Sequence, residues 1–241
     1  MRFSDLWGFG LIKYFLDQTT PGEGVVVALT AVAILVCAAI AYLLGSVNVS
    51  ILISKCFYHD DIRLHGSGNA GATNVMRTYG KKMAAMTFGG DFLKAAIASV
   101  AGRMVFGYYG AMIAGLFCIV GHIFPCFYKF KGGKGIVTAC AMVLLTNWRV
   151  FLVLLAIFIL VVIITKFISL GSVVAMAAYP IVLDRIGPKG YSVLIAMVVM
   201  ALCIYAHRSN IKRIMNHEES RFTFKVKDKK PVGDDGESDS E

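Results

Sequence analysis

Residues 25–44 form the stretch VVVALTAVAILVCAAIAYLL, twenty residues without a charged side chain. About 20 apolar residues in a helix are enough to cross the hydrocarbon core of a bilayer. The chain as a whole follows the same pattern, because 57% of its 241 residues are hydrophobic and only 16% are charged. Soluble globular domains are less apolar than this. The stretch and the composition together predict an all-α integral membrane protein.

Six further apolar stretches are candidate spans: 83–102, 108–124, 136–147, 150–168, 172–186 and 190–206. The stretch 136–147 is short, and only Asn147-Trp148-Arg149 separates it from the next one. We therefore predict seven transmembrane helices and keep one alternative, six spans with 136–168 merged. The predicted organisation is an N-terminal extension over 1–24, a seven-helix membrane domain over 25–217 and a charged, disordered tail over 218–241.

The distribution of positive charge predicts how the spans are oriented. With seven spans, one side receives 17 of the 24 Lys and Arg residues and the other side six, while Lys94 lies inside a span. Because cytoplasmic connections are enriched in Lys and Arg, we expect a multi-pass plasma-membrane protein with an outside amino terminus and a cytoplasmic carboxyl terminus. The six-span alternative would instead place Ser169 and His207 on the side opposite Gly68.

Three polar stretches interrupt the apolar chain: GSGNAGATN at 66–74, KFKGGKG at 129–135 and SLGS at 169–172. Glycines let backbone N–H groups approach a ligand closely, and hydroxyl or cationic side chains favour an anionic oxygen. With seven spans all three stretches are cytoplasmic, so they are predicted to converge on a phosphate site. The alternatives are a plain glycine turn for the first, a positively charged loop for the second and helix N-caps for the third.

Two nucleotide-binding motifs are excluded, the first by the segments that flank it and the second by its own residues. The first stretch fits G-x-G-x-x-G, but the dinucleotide fingerprint requires a strand before it and a helix after it in a βαβ unit, and here apolar spans flank it. The second stretch fails as a Walker A loop, because Tyr128 stands where a glycine is required and Gly135 where Ser or Thr is required.

For the polar residues outside these three stretches, structural roles are the default expectation. Asp91 and Lys94 are three residues apart inside a predicted span, where charges need partners, so we expect an ion pair facing the bundle interior. The six cysteines contain no C-x-x-C pair, so we expect free thiols and no metal site. His207 and Asn210, also three residues apart, close the last span within a basic cluster that is common at cytoplasmic helix ends.

The order of these motifs over residues 25–217 closely resembles the bacterial acyl-phosphate-dependent glycerol-3-phosphate acyltransferases. The matching residues are Gly45-Ser46, Asp61-Ile62-Arg63, the stretch 66–74, Arg77, Gly80-Lys81-Lys82, Asp91, Lys94, Gly121-His122, Pro125, the stretch 130–135, Ser169-Leu170, Ser172, His207-Arg208 and Asn210.

The resemblance implies seven helices around a cytoplasmic site that moves an acyl group from acyl-phosphate to the 1-hydroxyl of sn-glycerol 3-phosphate. The products would be lysophosphatidic acid and phosphate, in the first step of phospholipid biosynthesis. It implies no cofactor or metal; the partners are the two substrates and membrane lipids, no nucleic acid is expected, and we expect a monomer. By resemblance, the catalytic residues are Ser67, Arg77, Lys134, His207 and Asn210, and the substrate-binding residues are Gly66, Gly68, Asn69, Thr73, Asn74, Gly132, Gly133 and Ser172.

The chemistry of such a reaction assigns roles to some of these residues. We expect Arg77 and Lys134 to neutralise phosphate charge, with loop amides near the developing oxyanion. The identity of the proton acceptor stays open between His207 and a substrate phosphate oxygen.

The H-x-x-x-x-D motif of another glycerolipid acyltransferase class is absent from the sequence. A transporter for a phosphorylated solute and a lipid-binding scaffold without turnover are the competing functions.

Overall fold

The computed structural model describes residues 3–19 and 22–222, and over these residues the chain is helical and contains no strand. The α-helices are α1 Phe3–Thr19, α2 Glu23–Ser46, α3 Val49–Tyr58, α4 Ala72–Tyr79, α5 Lys81–Ile123, α6 Ile136–Thr146, α7 Trp148–Thr165, α8 Ile168–Ile186, α9 Tyr191–Ala206 and α10 Arg208–Met215. Short 3₁₀ turns lie at Ile62–Leu64 and Cys126–Tyr128. This architecture agrees with the all-α membrane protein that the sequence predicts.

Four described segments are long and apolar enough to cross a membrane: Glu23–Tyr58, Lys81–Tyr128, Trp148–Thr165 and Ile168–Ile186. A fifth results if α9 and α10, which meet at a bend of 55°, form one span. Seven spans require Lys81–Tyr128 to cross twice and α6, with 11 residues or about 17 Å, to count as a span. The number seven therefore stays a prediction.

Helix α5 turns back on itself at Phe106 and Gly107. Both residues have non-helical backbone angles, and Gly107 has a φ of 59°. A Cβ atom on Gly102 would lie only 2.3 Å from the carbonyl oxygen of Gly110, whereas residues eight apart in a continuous helix are separated by about 12 Å. The predicted stretches 83–102 and 108–124 are thus the two arms of a helical hairpin.

The break between α6 and α7 lies at Asn147. Its backbone is extended (φ −154°, ψ 97°), and its Oδ1 accepts hydrogen bonds from the N–H groups of Arg149 and Val150 at 3.1 and 3.2 Å. This is a helix N-cap, which ends one helix and begins another. Residues 136–168 therefore form two helices and not one merged helix, which argues against the six-span alternative without fixing the number of spans.

The third polar stretch was expected to connect two spans, with the second starting at 172, but the structure places it inside a helix. Helix α8 begins at Ile168, so Ser169 and Ser172 lie in its first turns. Gly171 explains the close approach to α7, because a Cβ there would lie 2.6 Å from the Val162 side chain and 3.1 Å from the Phe158 carbonyl oxygen. The α7–α8 connection is consequently shorter than the sequence suggested.

Within the described part of the chain, the core consists of one large and two smaller clusters of buried residues. The large cluster joins the second arm of α5 to α6, α7, α8 and α9 through residues such as Met112, Met142 and Tyr179. Small residues, including Ala41, Ala98 and Ala114, pack α2 against α5, as is typical of close helix contacts in membranes. The last cluster lies beneath the first polar stretch and includes the stacked rings of Tyr58 and Tyr79, 4.0 Å apart.

Both ends of the membrane domain carry additional chain. Helix α1 lies in the predicted N-terminal extension and contacts the turn of α5, where a Cβ on Gly10 would be 2.6 Å from the Val105 carbonyl oxygen. Of the tail predicted to be disordered, residues 218–222 are described and hydrogen-bonded to the rest of the protein, as detailed below. The remainder of that prediction, 223–241, lies outside the described residues.

Candidate active site

A cavity of about 400 Å³ lies where the three polar stretches meet. Polar lining comes from the first stretch, α4, Lys134, the start of α8, α10 and Glu219. Apolar lining comes from α5 to α8 and follows α6 from Gly135 to Val143, a distance of about 12 Å. A cavity with anion-binding groups and a long apolar wall suits a ligand with a phosphate and a hydrocarbon chain. The full lining is Ser67, Asn69, Gly71, Ala72, Thr73, Asn74, Arg77, Phe88, Asp91, Phe92, His122, Lys134, Gly135, Ile136, Val137, Cys140, Val143, Phe151, Leu154, Leu155, Phe158, Ile168, Ser169, Ser172, Ala175, Met176, Asn210 and Glu219.

Asn74 organises the first stretch from within. Its side-chain amide donates to the carbonyl oxygens of Ile62 at 3.1 Å and His65 at 2.9 Å, and its Oδ1 accepts from the Ser67 N–H at 2.9 Å. Gly66 has a φ of 55°, and a Cβ there would lie 2.3 Å from Asn74 Oδ1. The loop therefore folds around a buried asparagine, and a glycine is required where the backbone passes it.

The N-terminus of α4 lies at the cavity beside this loop. Gly71 is its N-cap and supplies no capping side chain, so the first N–H groups of the helix are available to an anion. Gly71, Ala72 and Thr73 all line the cavity, and Arg77 follows Thr73 by one turn on the same helix. These features support an anion site at the start of α4.

The second stretch is fastened to the end of α5 by its two glycines. The Gly132 N–H donates to the Ile123 carbonyl at 3.2 Å, and the Gly133 N–H donates to the His122 carbonyl at 3.0 Å. A Cβ on Gly133 would lie 2.1 Å from His122 Nε2 and 2.6 Å from the Ala70 carbonyl oxygen. Both amides are engaged within the protein, and the glycines allow the second stretch to pack against the first.

Lys134 follows this glycine pair and lines the cavity. Burial lowers the pKa of its ammonium group to about 8. The carboxylate of Glu219 acts in the opposite direction, while the positive charges of Arg213 and Arg77 lower the pKa further. Lys134 is half-buried and has no direct ion-pair partner among the described residues, so it is well placed to bind an anionic ligand.

A third group of residues closes the cavity from the carboxyl-terminal side. Glu219 accepts hydrogen bonds through Oε1 from Ser169 Oγ at 2.7 Å and from Asn210 Nδ2 at 2.6 Å. Its Oε2 accepts from Arg213 Nε at 2.8 Å. Burial disfavours the charged carboxylate, but these three hydrogen bonds outweigh it and lower the pKa of Glu219. Farther along, Arg77 donates to the Ser220 carbonyl at 3.4 Å.

The acceptor geometry fixes the orientation of the Asn210 amide. An ionised carboxylate only accepts hydrogen bonds, so Nδ2 must face Glu219. Asn210 Oδ1 is buried and has no hydrogen-bond partner among the described residues. An unsatisfied acceptor on a residue that lines the cavity fits a ligand with a hydroxyl donor.

His207 lies one turn before Asn210, at the break between α9 and α10. Its Nδ1 is 2.7 Å from the Cys203 carbonyl oxygen. Because a carbonyl only accepts, Nδ1 carries the proton and Nε2 of the neutral ring is an acceptor. His207 is buried and does not line the cavity.

Buried charged and titratable side chains connect the two arms of α5. Lys94 Nζ is 2.9 Å from Asp91 Oδ1 and donates to the carbonyl oxygens of Gly45 at 2.9 Å and Val47 at 2.6 Å. His122 Nδ1 lies 3.1 Å from the same ammonium. The ion pair predicted between Asp91 and Lys94 is present, and it is anchored to the end of α2 as well.

The structure brings most, but not all, of the predicted site residues to the cavity. Those that line it are Ser67, Asn69, Thr73, Asn74, Arg77, Lys134, Ser172 and Asn210. Those that do not are Gly66, Gly68, Gly132, Gly133 and His207, whose contacts with ligand stay predictions. Glu219 also lines the cavity but was not predicted from the sequence; the signal that could have indicated it is an acidic residue just beyond a basic helix end.

Comparison with known proteins places the chain among named relatives. A family model described as glycerol-3-phosphate acyltransferase matches residues 35–217. Proteins named glycerol-3-phosphate acyltransferase from Clostridioides difficile (strain 630) and Bacillus subtilis (strain 168) are 42% and 36% identical to this chain. The alignments cover 78% and 76% of this chain and 94% of each relative.

Two solved structures are also similar. One is the crystal structure of PlsY (YgiH), an integral membrane glycerol 3-phosphate acyltransferase, in its glycerol 3-phosphate form. It matches with a TM-score of 0.75 and 36% identity over 79% of this chain and 96% of that chain. The lysophosphatidic acid form of PlsY matches with a TM-score of 0.72 and 35% identity over 79% of this chain and 95% of that chain.

Proposed function

The chain belongs to the glycerol-3-phosphate acyltransferase family, and on that premise we propose that it transfers an acyl group from acyl-phosphate to the 1-hydroxyl of sn-glycerol 3-phosphate. The products are lysophosphatidic acid and inorganic phosphate, and the reaction is the first step of phospholipid biosynthesis. One observation supports the proposal above others: a single cavity combines Arg77, Lys134 and the start of α4 with an apolar wall along α6.

Acyl-phosphate is the donor that fits this cavity best. It presents a phosphate to the cations and helix N-terminus and a hydrocarbon chain to the apolar wall. It is a mixed anhydride and needs no further activation, so catalysis consists largely of alignment and stabilisation of charge. The motif order of the sequence, which resembles the acyl-phosphate-dependent enzymes, supports the same donor.

In the proposed reaction the 1-hydroxyl oxygen attacks the acyl carbonyl carbon, and the bond from that carbon to the phosphate oxygen breaks. Before attack, Asn210 Oδ1 accepts the hydrogen bond of the 1-hydroxyl and orients it, because it is a buried acceptor without a partner among the described residues. Ser67, which lines the cavity, donates to the developing oxyanion, and Lys134 and Arg77 stabilise the departing phosphate.

The proton of the hydroxyl passes to a phosphate oxygen of the substrate. His207 Nε2 is the other acceptor that the sequence offered, but His207 does not line the cavity. We therefore assign it the task of supporting the turn that carries Asn210, through its hydrogen bond to the Cys203 carbonyl.

The orientation in the membrane is also a proposal. Seven spans with an outside amino terminus place the cavity at the cytoplasmic face, where the excess of Lys and Arg lies. A reporter enzyme fused after Glu241 should be active only in the cytoplasm. Activity of the reporter outside the cell would overturn this orientation.

The decisive experiment measures turnover of the purified protein. With palmitoyl-phosphate and glycerol 3-phosphate it should release phosphate and form lysophosphatidic acid, and omission of glycerol 3-phosphate should stop both. Palmitoyl-coenzyme A in place of palmitoyl-phosphate should give no product. A transporter would instead accumulate labelled glycerol 3-phosphate in vesicles without acyl transfer, and that result would refute the enzyme.

A further inference from the structure

A turn of unusual conformation precedes the lysine of the second stretch. Lys129 and Phe130 have φ values of 55° and 56°, in the left-handed region that side chains other than glycine rarely adopt. The Lys131 N–H donates to the Tyr128 carbonyl at 3.2 Å, which closes the turn over these two residues. Such turns normally contain glycine or asparagine at the central positions, so this one needs support from its surroundings.

Arg63 supplies that support from the first polar loop. Its NH1 group donates to the carbonyl oxygens of Tyr128 at 3.0 Å and Lys131 at 3.3 Å. These are the first and last residues of the turn, so one guanidinium group spans both ends. The contacts join positions 65 and 68 residues apart in the chain.

Asp61 holds the guanidinium in place. Arg63 Nε is 2.9 Å from Asp61 Oδ1 and NH2 is 2.6 Å from Oδ2, a bidentate pair. The Asp61 carboxylate also accepts from the Arg63 backbone N–H at 3.0 Å. The guanidinium group is planar, so the pairing of Nε and NH2 with Asp61 also fixes the direction in which NH1 points, toward the turn carbonyls.

Lys134 lies three positions beyond the last residue of the turn, and the two residues between them are the glycines that pack against His122. The backbone angles of the turn therefore set the path by which the chain reaches the cavity. Arg63 itself does not line the cavity, and its hydrogen bonds to the Tyr128 and Lys131 carbonyls are a direct link between its side chain and the segment that carries Lys134.

We propose that Arg63 is a positioning residue of the acyltransferase site: it holds the left-handed turn at Tyr128–Lys131 and thereby places Lys134 in the cavity. The proposal rests on the proposed function, because it assigns Lys134 to phosphate. It predicts that the requirement for Arg63 disappears when the turn no longer needs to be held.

The test compares Arg63→Met with a matched control, Lys55→Met. Lys55 is exposed and lies 5.7 Å from the same Tyr128 ring that Arg63 approaches at 6.0 Å. It differs from Arg63 in having no hydrogen bond to the turn carbonyls among those described. We expect Arg63→Met to lower kcat/KM by about tenfold or more, the effect of losing charge-assisted hydrogen bonds, and Lys55→Met to change it less than about twofold.

Rescue distinguishes positioning from general stability. Lys129→Gly removes the steric penalty at one of the two left-handed residues, so Arg63→Met with Lys129→Gly should recover a measurable part of the lost kcat/KM. Lys129→Gly alone should be near wild type. Arg63→Lys should not recover activity, because an ammonium group cannot span both carbonyls and Asp61. If Arg63→Met does not fold, the same comparisons are made with Arg63→Lys.

The pH profile provides a second readout. Lys134 is faced by Glu219, Arg213, Arg77 and His207, and burial holds its pKa at about 8. A loosened turn exposes Lys134 to water, so the alkaline limb of the kcat/KM profile should move to higher pH in Arg63→Met and return in the variant with Lys129→Gly.

Each result decides one question. An inactive wild type would overturn the proposed function. An active wild type with an active Arg63→Met variant would overturn the role of Arg63 alone. Impaired activity without rescue by Lys129→Gly and without a shifted alkaline limb would assign Arg63 to stability only and would also overturn the positioning role.

Discussion

Replacement of Lys134 by methionine tests the charge that the cavity offers to phosphate. Methionine keeps an unbranched chain of similar length, so the cavity stays filled while the ammonium is lost. A unit charge 4 Å away interacts with another by about 4 kcal/mol at an effective dielectric constant of about 20. A hydrogen bond to a charged group is worth about 1.5–3 kcal/mol.

These two figures set the expected size of the effect. We take about 3 kcal/mol, the upper end of the hydrogen-bond range and below the Coulomb figure, which corresponds to a decrease in kcat/KM of about 150-fold. The assay is phosphate release from palmitoyl-phosphate in the presence of glycerol 3-phosphate. Lys131→Met is the matched control, because Lys131 belongs to the same loop but is exposed and does not line the cavity.

Protein stability is measured in parallel, so that loss of fold is not mistaken for loss of charge. The Lys134→Met variant should melt no earlier than wild type, because it replaces a desolvated ammonium with an apolar group. Activity within about threefold of wild type in a folded Lys134→Met variant would refute the assignment of Lys134 to phosphate.

Three further outcomes follow from the site. Asn74→Ala breaks three hydrogen bonds inside the first loop and should lower the free energy of unfolding by about 2–3 kcal/mol, read from thermal melting; an unchanged melting temperature would contradict its loop-forming role. Gly133→Ala places a Cβ 2.1 Å from His122 Nε2 and should reduce folded yield, whereas Gly89→Ala, with nothing within 4 Å, should not; equal yields would disprove the close approach. Activity should decline as pH rises through about 8, because Lys134 loses its proton there; a flat kcat/KM profile between pH 7 and 9.5 would argue against a required ammonium.

The long apolar segments were predictable because hydrophobicity alone determines them. The stretch 25–44 lies inside α2, Glu23–Ser46, with two residues added at each end. The convergence of the polar stretches was also predictable, since span order and charge placed them on one face. Asp91 and Lys94 paired as expected because a buried charge at helical spacing has few other partners.

Other features depend on contacts between distant residues that no local pattern contains. The helix α3, Val49–Tyr58, lies between the predicted stretches 25–44 and 83–102 and was not predicted, because its 10 residues are too few to be recognised as a span. The start of α8 was placed too late, since the glycine at 171 was interpreted as part of a loop when it permits helix contact. The left-handed turn before Lys131 could not be expected from Lys129 and Phe130, neither of which favours that conformation.

The segment 218–222, which closes the cavity through Glu219, lies beyond the residues that the family model matches. The family model ends at residue 217, but Glu219 binds Asn210 and Ser169 beyond that limit. A protein truncated after residue 217 would keep every motif by which the family is recognised and would lose the carboxylate that orients one of them. Shortened versions made for crystallisation or expression should therefore retain residues through at least Phe222, whose N–H donates to the Lys166 carbonyl at 2.8 Å.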